Sequence, residues 1–289
     1  MAVAPPLLSG LSEIVSDYDL ILCDVWGVIH NGISAFPATG DALTRARDAG
    51  LTVLLVSNAP RPNAFVAKML DGMGVPRTAY DGIVTSGDVT RAVLAARPGA
   101  RIFHLGPSRD LGTYDGLDVT VTDLPEADLV VCTGLLNDEV ETPEDYRDML
   151  TGMRARDLPF ICANPDLVVE RGDRLIYCAG ALAQLYDELG GSSVYCGKPH
   201  APVYAEALKR LEAMGRPVPA PKRVLAIGDA LRTDIIGAAG AGFDGLFISS
   251  GIHAVELASE HGAPPDMDAV AKLFADGPSP RAVMPRLSW

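Results

Sequence analysis

Short apolar runs alternate with amphipathic stretches along almost the whole chain, and no other feature restricts the fold so strongly. Residues 20–23, 51–56, 82–84, 101–105, 129–133, 160–163, 193–196, 223–227 and 245–248 read as strands. The stretches between them carry helical patterning: 38–49 behind Pro37 and stopped at Gly50, 62–73, 86–96, 180–189, 201–214 and 233–239. Strand and helix in regular turn predict an α/β fold, a Rossmann-like parallel sheet covered by helices. Ser86-Gly87-Asp88 is expected to cap one helix. Thr142-Pro143-Glu144-Asp145 is expected to open another, with proline suited to the first turn and acids to the helix N-terminus.

Four polar motifs follow four of the apolar runs: Asp24-Val25-Trp26-Gly27-Val28, Ser57-Asn58-Ala59, Gly197-Lys198-Pro199, and Gly228-Asp229 with Asp234 behind it. In open parallel sheets ligands bind beyond the carboxyl ends of the strands, where these motifs fall. The motifs lie only in the first and last parts of the chain. Residues 1–84 and 193–289 are therefore expected to form one discontinuous core, and 85–192 an inserted α/β cap. With 289 residues, 48% of them apolar, the chain can bury a core of that size. Residues 277–289, rich in proline, are expected as a tail packed on the surface or reaching a partner.

A carboxylate that attacks a phosphoryl group needs the mutual repulsion neutralised by a divalent metal, a fixed cation and polar donors. The motifs supply that set. Asp24 suits the nucleophile, Asp24 and Asp229 the metal, Asp234 a further metal contact, Lys198 the cation, and Ser57 with Asn58 the phosphate donors. Oxygen-only ligands select Mg²⁺ over zinc. Each residue alone has a duller reading, as turn former, helix cap or surface lysine; the ordered set has none.

These motifs resemble those of the haloacid dehalogenase superfamily, specifically its class IIA branch of nitrophenylphosphatase-like, nucleotide and sugar-phosphate phosphatases. The resemblance extends to Thr85-Ser86, Ala163-Asn164-Pro165-Asp166, Gly180-Ala181-Leu182 and Gly240-Ala241-Gly242. It implies a Rossmann-like core with a large cap, an aspartyl-phosphate intermediate on Asp24, and Mg²⁺ taking the backbone carbonyl of Trp26. It also points to Ala59 near the phosphate and to Asn164 and Asp166 on the substrate from the cap, while Arg61, close behind, is a candidate for a phosphate or a cap contact, with surface exposure as the alternative. His104 and Tyr177 are further cap candidates, and His30 and Asn31 can line the entrance, with core, loop or turn roles as the alternative.

Trp26 departs from the family pattern, which there has an aspartate that protonates the leaving alkoxide and then activates water. Indole can do neither, and such work is typically worth ~10²–10⁴-fold, so a slow phosphatase for a small phosphorylated metabolite is expected. A compensating acid can come from Asp166 or Glu170. Two alternatives remain: a phosphate-ligand-binding or regulatory protein that has lost turnover, and a metal-free dehalogenase, which the extra carboxylates Asp229 and Asp234 disfavour.

The net charge of −13 argues against nucleic-acid and anionic-membrane partners. There is no signal-peptide pattern and no long apolar span, so a cytoplasmic location is the expectation. Cys23, Cys132, Cys162, Cys178 and Cys196 sit in apolar surroundings without metal-ligand spacing and are expected as reduced core residues. A homo-oligomer is left open.

Overall fold

The computed structural model describes residues 4–171 and 174–289. Among them, β1 (Leu20–Cys23), β2 (Thr52–Ser57), β3 (Gly82–Thr85), β11 (Val224–Gly228), β12 (Asp244–Ile248) and β13 (Ala282–Met284) form one parallel sheet in the order β13-β12-β11-β1-β2-β3. The middle strands are buried along their whole length, as strands covered on both faces must be. A second parallel sheet has β4 (Ala100–Leu105), β5 (Val119–Val121), β6 (Leu129–Cys132), β7 (Phe160–Cys162) and β10 (Ser193–Tyr195) in the order β10-β7-β6-β4-β5. β8 (Val168–Arg171) and β9 (Arg174–Tyr177) pair antiparallel as a separate two-stranded sheet.

The connecting helices are α1 (Pro37–Asp48), α2 (Asn63–Gly72), α3 (Ser86–Ala95), α4 (Arg147–Ala155), α5 (Ala179–Glu188), α6 (Ala201–Ala213), α7 (Ile236–Gly240) and α8 (Met267–Leu273). The cap of α3 is Thr85 rather than Ser86: its hydroxyl accepts from Asp88 N at 3.0 Å while Asp88 Oδ2 accepts from Thr85 N, also at 3.0 Å. Asp145 reaches back to Thr142 N at 2.8 Å, as the sequence pattern anticipates.

Two expectations need correction. Ser193–Tyr195 does not resume the first sheet; it pairs with Phe160–Cys162 at the edge of the second. Its residue types make it a strand, but its partner is set by where α5 returns the chain. The proline-rich C-terminus is not a tail on the surface or toward a partner either, but adds a buried strand to the first sheet. Val283 pairs with Phe247, Leu8 N donates to Val283 O at 2.9 Å, and Leu287 is fully buried. Pro280 and Pro285 flank Ala282–Met284 without entering it, so neither removes a ladder donor from the strand.

The two sheets share a buried layer. Leu20, Leu22 and Leu54 of the first, Ile102, Leu129 and Ile161 of the second, and Val89, Leu94, Val203 and Leu211 of α3 and α6 belong to one apolar cluster. The cysteines are free and buried. No helix among the described residues is long and apolar enough to cross a membrane.

Candidate active site

The carboxyl ends of β1, β2, β11 and β12 lie side by side, and the loops leaving β1, β11 and β12 meet residues from the second sheet's side around a cavity of about 750 Å³. Asp24 leaves β1 with its amide bonded to Ile227 O at 2.8 Å, which ties it to the strand that carries Asp229. The carboxylate oxygens of Asp24, Asp229 and Asp234 lie within 4.8 Å of one another. Lys198, buried, arrives from the loop after β10 and places its Nζ 2.6 Å from Asp24 Oδ1 and 2.7 Å from Asp234 Oδ1. Asp234 is carried on a π-helical turn, Leu231–Ile235, and its other oxygen accepts from Ala230 N at 3.1 Å. Such turns recur at functional sites because they re-aim one side chain within a helix.

Asn58 is the knot between the parts. Its Oδ1 accepts from Lys198 N at 2.8 Å, and its Nδ2 donates to Asp166 Oδ1 at 2.9 Å and to Lys198 O at 3.2 Å. Ser57 lies beside it, buried, with its hydroxyl accepting from Ala59 N at 3.2 Å. Asp229 is gripped by backbone: Ile252 N donates to its Oδ2 at 2.8 Å. A Cβ at Gly27, where φ is +83°, would fall 2.1 Å from that oxygen, and one at Gly251 2.0 Å from it, so only glycine lets both loops close here.

The electrostatics follow from several acids sharing one cation. Burial pushes the Asp24 carboxyl up to about 7 against the pull of Lys198. Burial, then Asp24 and Asp234, push Asp229 well above the usual carboxylate range. Burial alone would lower the Lys198 ammonium, but Asp234, Asp24 and Asp166 more than reverse this and hold it protonated. A cluster of buried carboxylates with too little positive charge, all offering oxygen and none offering nitrogen or sulfur, is the donor set of a hard divalent cation.

Of the residues expected at the site, Asp24, Trp26, Asp166 and Asp229 line the cavity. Lys198, Asp234, Ser57, Asn58 and Ala59 do not line it. Lys198 and Asp234 reach Asp24 through the ion pairs above, and Asn58 reaches Lys198 and Asp166. Asn164 makes a turn, its Oδ1 accepting from Asp166 N at 3.1 Å. Arg61 is not at the cavity: its Nε donates to Asp110 Oδ1 at 2.5 Å, an ion pair with the segment after β4. The side chain of Glu170 lies outside the described residues. Asn31 lines the cavity while forming its own turn to Ile33 N and Ser34 N. His104 bonds Tyr114 at 2.7 Å, and Tyr177 is exposed on β9, so neither serves the cavity.

Trp26 packs edge-on against His30, ring centres 5.0 Å apart. His30 is fully buried with Nδ1 accepting from Gly32 N at 2.9 Å, and burial lowers it to about 4, so it stays neutral. Sequence reasoning missed the loop 250–253 around Asp229, Arg232 and Thr233, Phe36, and the stacked pair Tyr195–His200, whose rings lie 4.6 Å apart. The loop had a readable signal, Ser249-Ser250-Gly251 directly behind β12. The stacked pair had none, since its members meet across a turn.

Comparison with known proteins agrees with this geometry. A family model described as haloacid dehalogenase-like hydrolase matches residues 21–120, and a HAD-hydrolase-like model matches 195–276. The crystal structure of a hydrolase of the haloacid dehalogenase-like family from Brucella suis 1330 is 49% identical, covers 97% of this chain and 99% of its own, and superposes with a TM-score of 0.85. The chain belongs to the haloacid dehalogenase-like hydrolases. Within them it falls in the class IIA branch, beside the Escherichia coli ribonucleotide monophosphatase NagD, 25% identical over 82% of this chain and 89% of that protein. The glycerol phosphate phosphatase of Mycobacterium tuberculosis in complex with calcium, 24% identical with a TM-score of 0.63 over 90% of this chain and 77% of that one, shares the fold.

Proposed function

We propose that the protein is a Mg²⁺-dependent phosphatase that hydrolyses a small phosphorylated metabolite through an aspartyl phosphate on Asp24. The observation that carries this is the Asp24 carboxylate on the cavity wall, 2.6 Å from a buried ammonium and beside two further buried acids. Asp24 attacks phosphorus, and the bond to the leaving oxygen breaks. Lys198 holds the carboxylate ionised and aimed, Asp234 holds Lys198, and Asn58 fixes the backbone of Lys198. Asp24, Asp229 and Asp234 would hold the divalent cation, with the Trp26 carbonyl that the family pattern implies, and the cation would supply charge neutralisation for the incoming phosphate. The segment from about Ser86 to Cys196 acts as the cap, supplying Pro165 to Val169, Gln184 and Tyr195 to the far wall of the cavity. The protein acts in the cytoplasm. A release assay with Mg²⁺ over sugar phosphates, nucleotides and aryl phosphates tests the reading; no phosphate release from any of them would favour a ligand-binding role, the reading that Trp26 by itself supports.

Turnover is slow relative to an enzyme with an acid–base carboxyl two residues after its nucleophile. Trp26→Asp is expected to raise steady-state turnover of alkyl phosphates by about 10-fold or more, the lower end of what such a group contributes. A melting curve must accompany it, because the ring packs on His30 and its loss leaves a gap. Unchanged turnover in a folded variant would mean that Trp26 does not limit the reaction.

Metal and proton compete for the same oxygens. The folded-state value of Asp24, about 7, lies above the unfolded one, about 3.9. The native state therefore retains a proton that the unfolded state has released, and this group's contribution to stability falls as pH rises between those values. A cation binds the ionised form, so the rise in melting temperature on adding millimolar Mg²⁺ is expected to be larger at about pH 8 than at about pH 5. Scanning fluorimetry with and without chelator checks this; a Mg²⁺ shift independent of pH would contradict it.

A further inference from the structure

We propose that Asp166, delivered from the segment after β7, carries the proton between the leaving group and water that an acid two residues after Asp24 would otherwise carry. This rests on the phosphatase reading above and assigns it a residue. Asp166 lines the same cavity as Asp24 and Asp229. Its Oδ1 accepts from Asn58 Nδ2 at 2.9 Å, and among the described residues no group bonds to its Oδ2. The backbone holding it is locked. Asp166 N donates to Asn164 Oδ1 at 3.1 Å, and Asp166 O accepts from Gly180 N at 3.2 Å, on a glycine whose Cβ would fall 2.5 Å from that oxygen. A carboxyl on a cavity wall, anchored through one oxygen and unbonded at the other, is suited to exchange a proton at a fixed place.

Among the described residues, the other proton-bearing groups lining the cavity are committed elsewhere. Tyr195 Oη donates to Asp187 at 2.7 Å, and His200 stacks flat on the Tyr195 ring and is lowered by burial, hence neutral. His253 engages Glu256 through Nδ1 at 2.9 Å and Leu231 N through Nε2 at 3.5 Å. Asp24 is the nucleophile and Asp229 a cation ligand. Charge points the same way. Asp24, Asp166 and Asp234 share the one buried ammonium of Lys198, with Asp229 beside them, so protonating one of these acids eases the approach of a phosphate dianion. Burial pushes the Asp166 carboxyl up to about 6, with Lys198 and Asn58 pulling it down, so the protonated form is accessible near neutrality.

The step balances. As Asp24 Oδ forms its bond to phosphorus and the ester P–O bond breaks, the Asp166 proton passes to the departing alkoxide, which leaves as alcohol. The Asp166 carboxylate then takes a proton from the water that attacks the phosphoryl group. Phosphate leaves, and both carboxyl groups return to their starting states.

The experiment compares wild type, Asp166→Asn, Trp26→Asp and the double variant, with Mg²⁺, on an alkyl and an aryl phosphate. Asparagine keeps an acceptor for Asn58 but has no proton to give. Turnover by Asp166→Asn is expected to fall about 100-fold on the alkyl ester and only about 5-fold on the aryl ester, whose leaving group needs little protonation. In the Trp26→Asp background the alkyl loss should shrink, because a second carboxyl then does the same work. Equal losses on both esters, or no rescue, would reduce Asp166 to a support for Asn58 and overturn the proposal. If Asp166→Asn does not fold, the wild-type dependence of rate on leaving-group acidity decides: a shallow slope supports an acid at the leaving oxygen, and one as steep as without any acid excludes Asp166 from that role. Absence of turnover of either ester by wild type would instead strike the phosphatase reading itself.

Discussion

Asp24→Asn is expected to lower turnover of any phosphate ester by at least about 10⁴-fold, because in the proposed mechanism this residue supplies the bond to phosphorus. The same variant should melt higher than wild type at about pH 8 without metal. Burial raises the Asp24 carboxyl to about 7, so above that pH the folded state carries an ionised group in a place that resists it, and the amide removes the conflict. Loss of activity with gain of metal-free stability distinguishes a functional carboxylate from a structural one. A variant that loses both would mean that the contact with Lys198 at 2.6 Å chiefly holds the fold. A kinetic run with an aryl phosphate beside a thermal melt is sufficient to tell.

Asp229→Ala is expected to remove binding of the divalent cation at millimolar concentration and to lower turnover by about 10³-fold, in line with losing charge stabilisation at a phosphoryl centre. Three oxygens within 4.8 Å become two, and the backbone closed around the residue at Gly27 and Gly251 leaves no room for another side chain to take its place. Calorimetry with Mg²⁺, or Mn²⁺ as a spectroscopic probe, measures the occupancy directly. Asp229→Asn, which keeps the volume and an acceptor for Ile252 N, serves as the control for collapse of the loop. Metal occupancy equal to wild type in both variants would mean that the cation sits elsewhere.

Much of the site was legible in the chain, because its parts are local. Asp24, Ser57, Asn58 and Asp229 each stand directly behind an apolar run, and a residue behind a strand of a parallel sheet has only one end of that sheet to occupy. The parallel core, the free buried cysteines and the helix opened at Thr142 were legible for the same reason. The fate of Arg61 was not. Its position four residues behind Ser57 suits a phosphate contact or one with the inserted segment, and only Asp110, far along the chain, decides for the second by claiming the guanidinium at 2.5 Å.

What the sequence by itself determined is therefore the class of fold, the strand-end placement of the carboxylates and the absence of an acid at Trp26, all consequences of residue type and short spacing. Only the tertiary structure decided which sheet each strand joins and which side chains meet across the cavity. Ser193–Tyr195 has the makings of a strand in either sheet, and its register against Phe160–Cys162 sends Lys198 into the site from the second sheet, not the first. The Ala282–Met284 edge strand, the Tyr195–His200 stack and the link from Asn58 to Asp166 arise in the same way. Hydrogen-bonding and packing partners distant in sequence are selected by the geometry of the whole chain, where burial of the shared apolar layer, not local propensity, sets the position of each group.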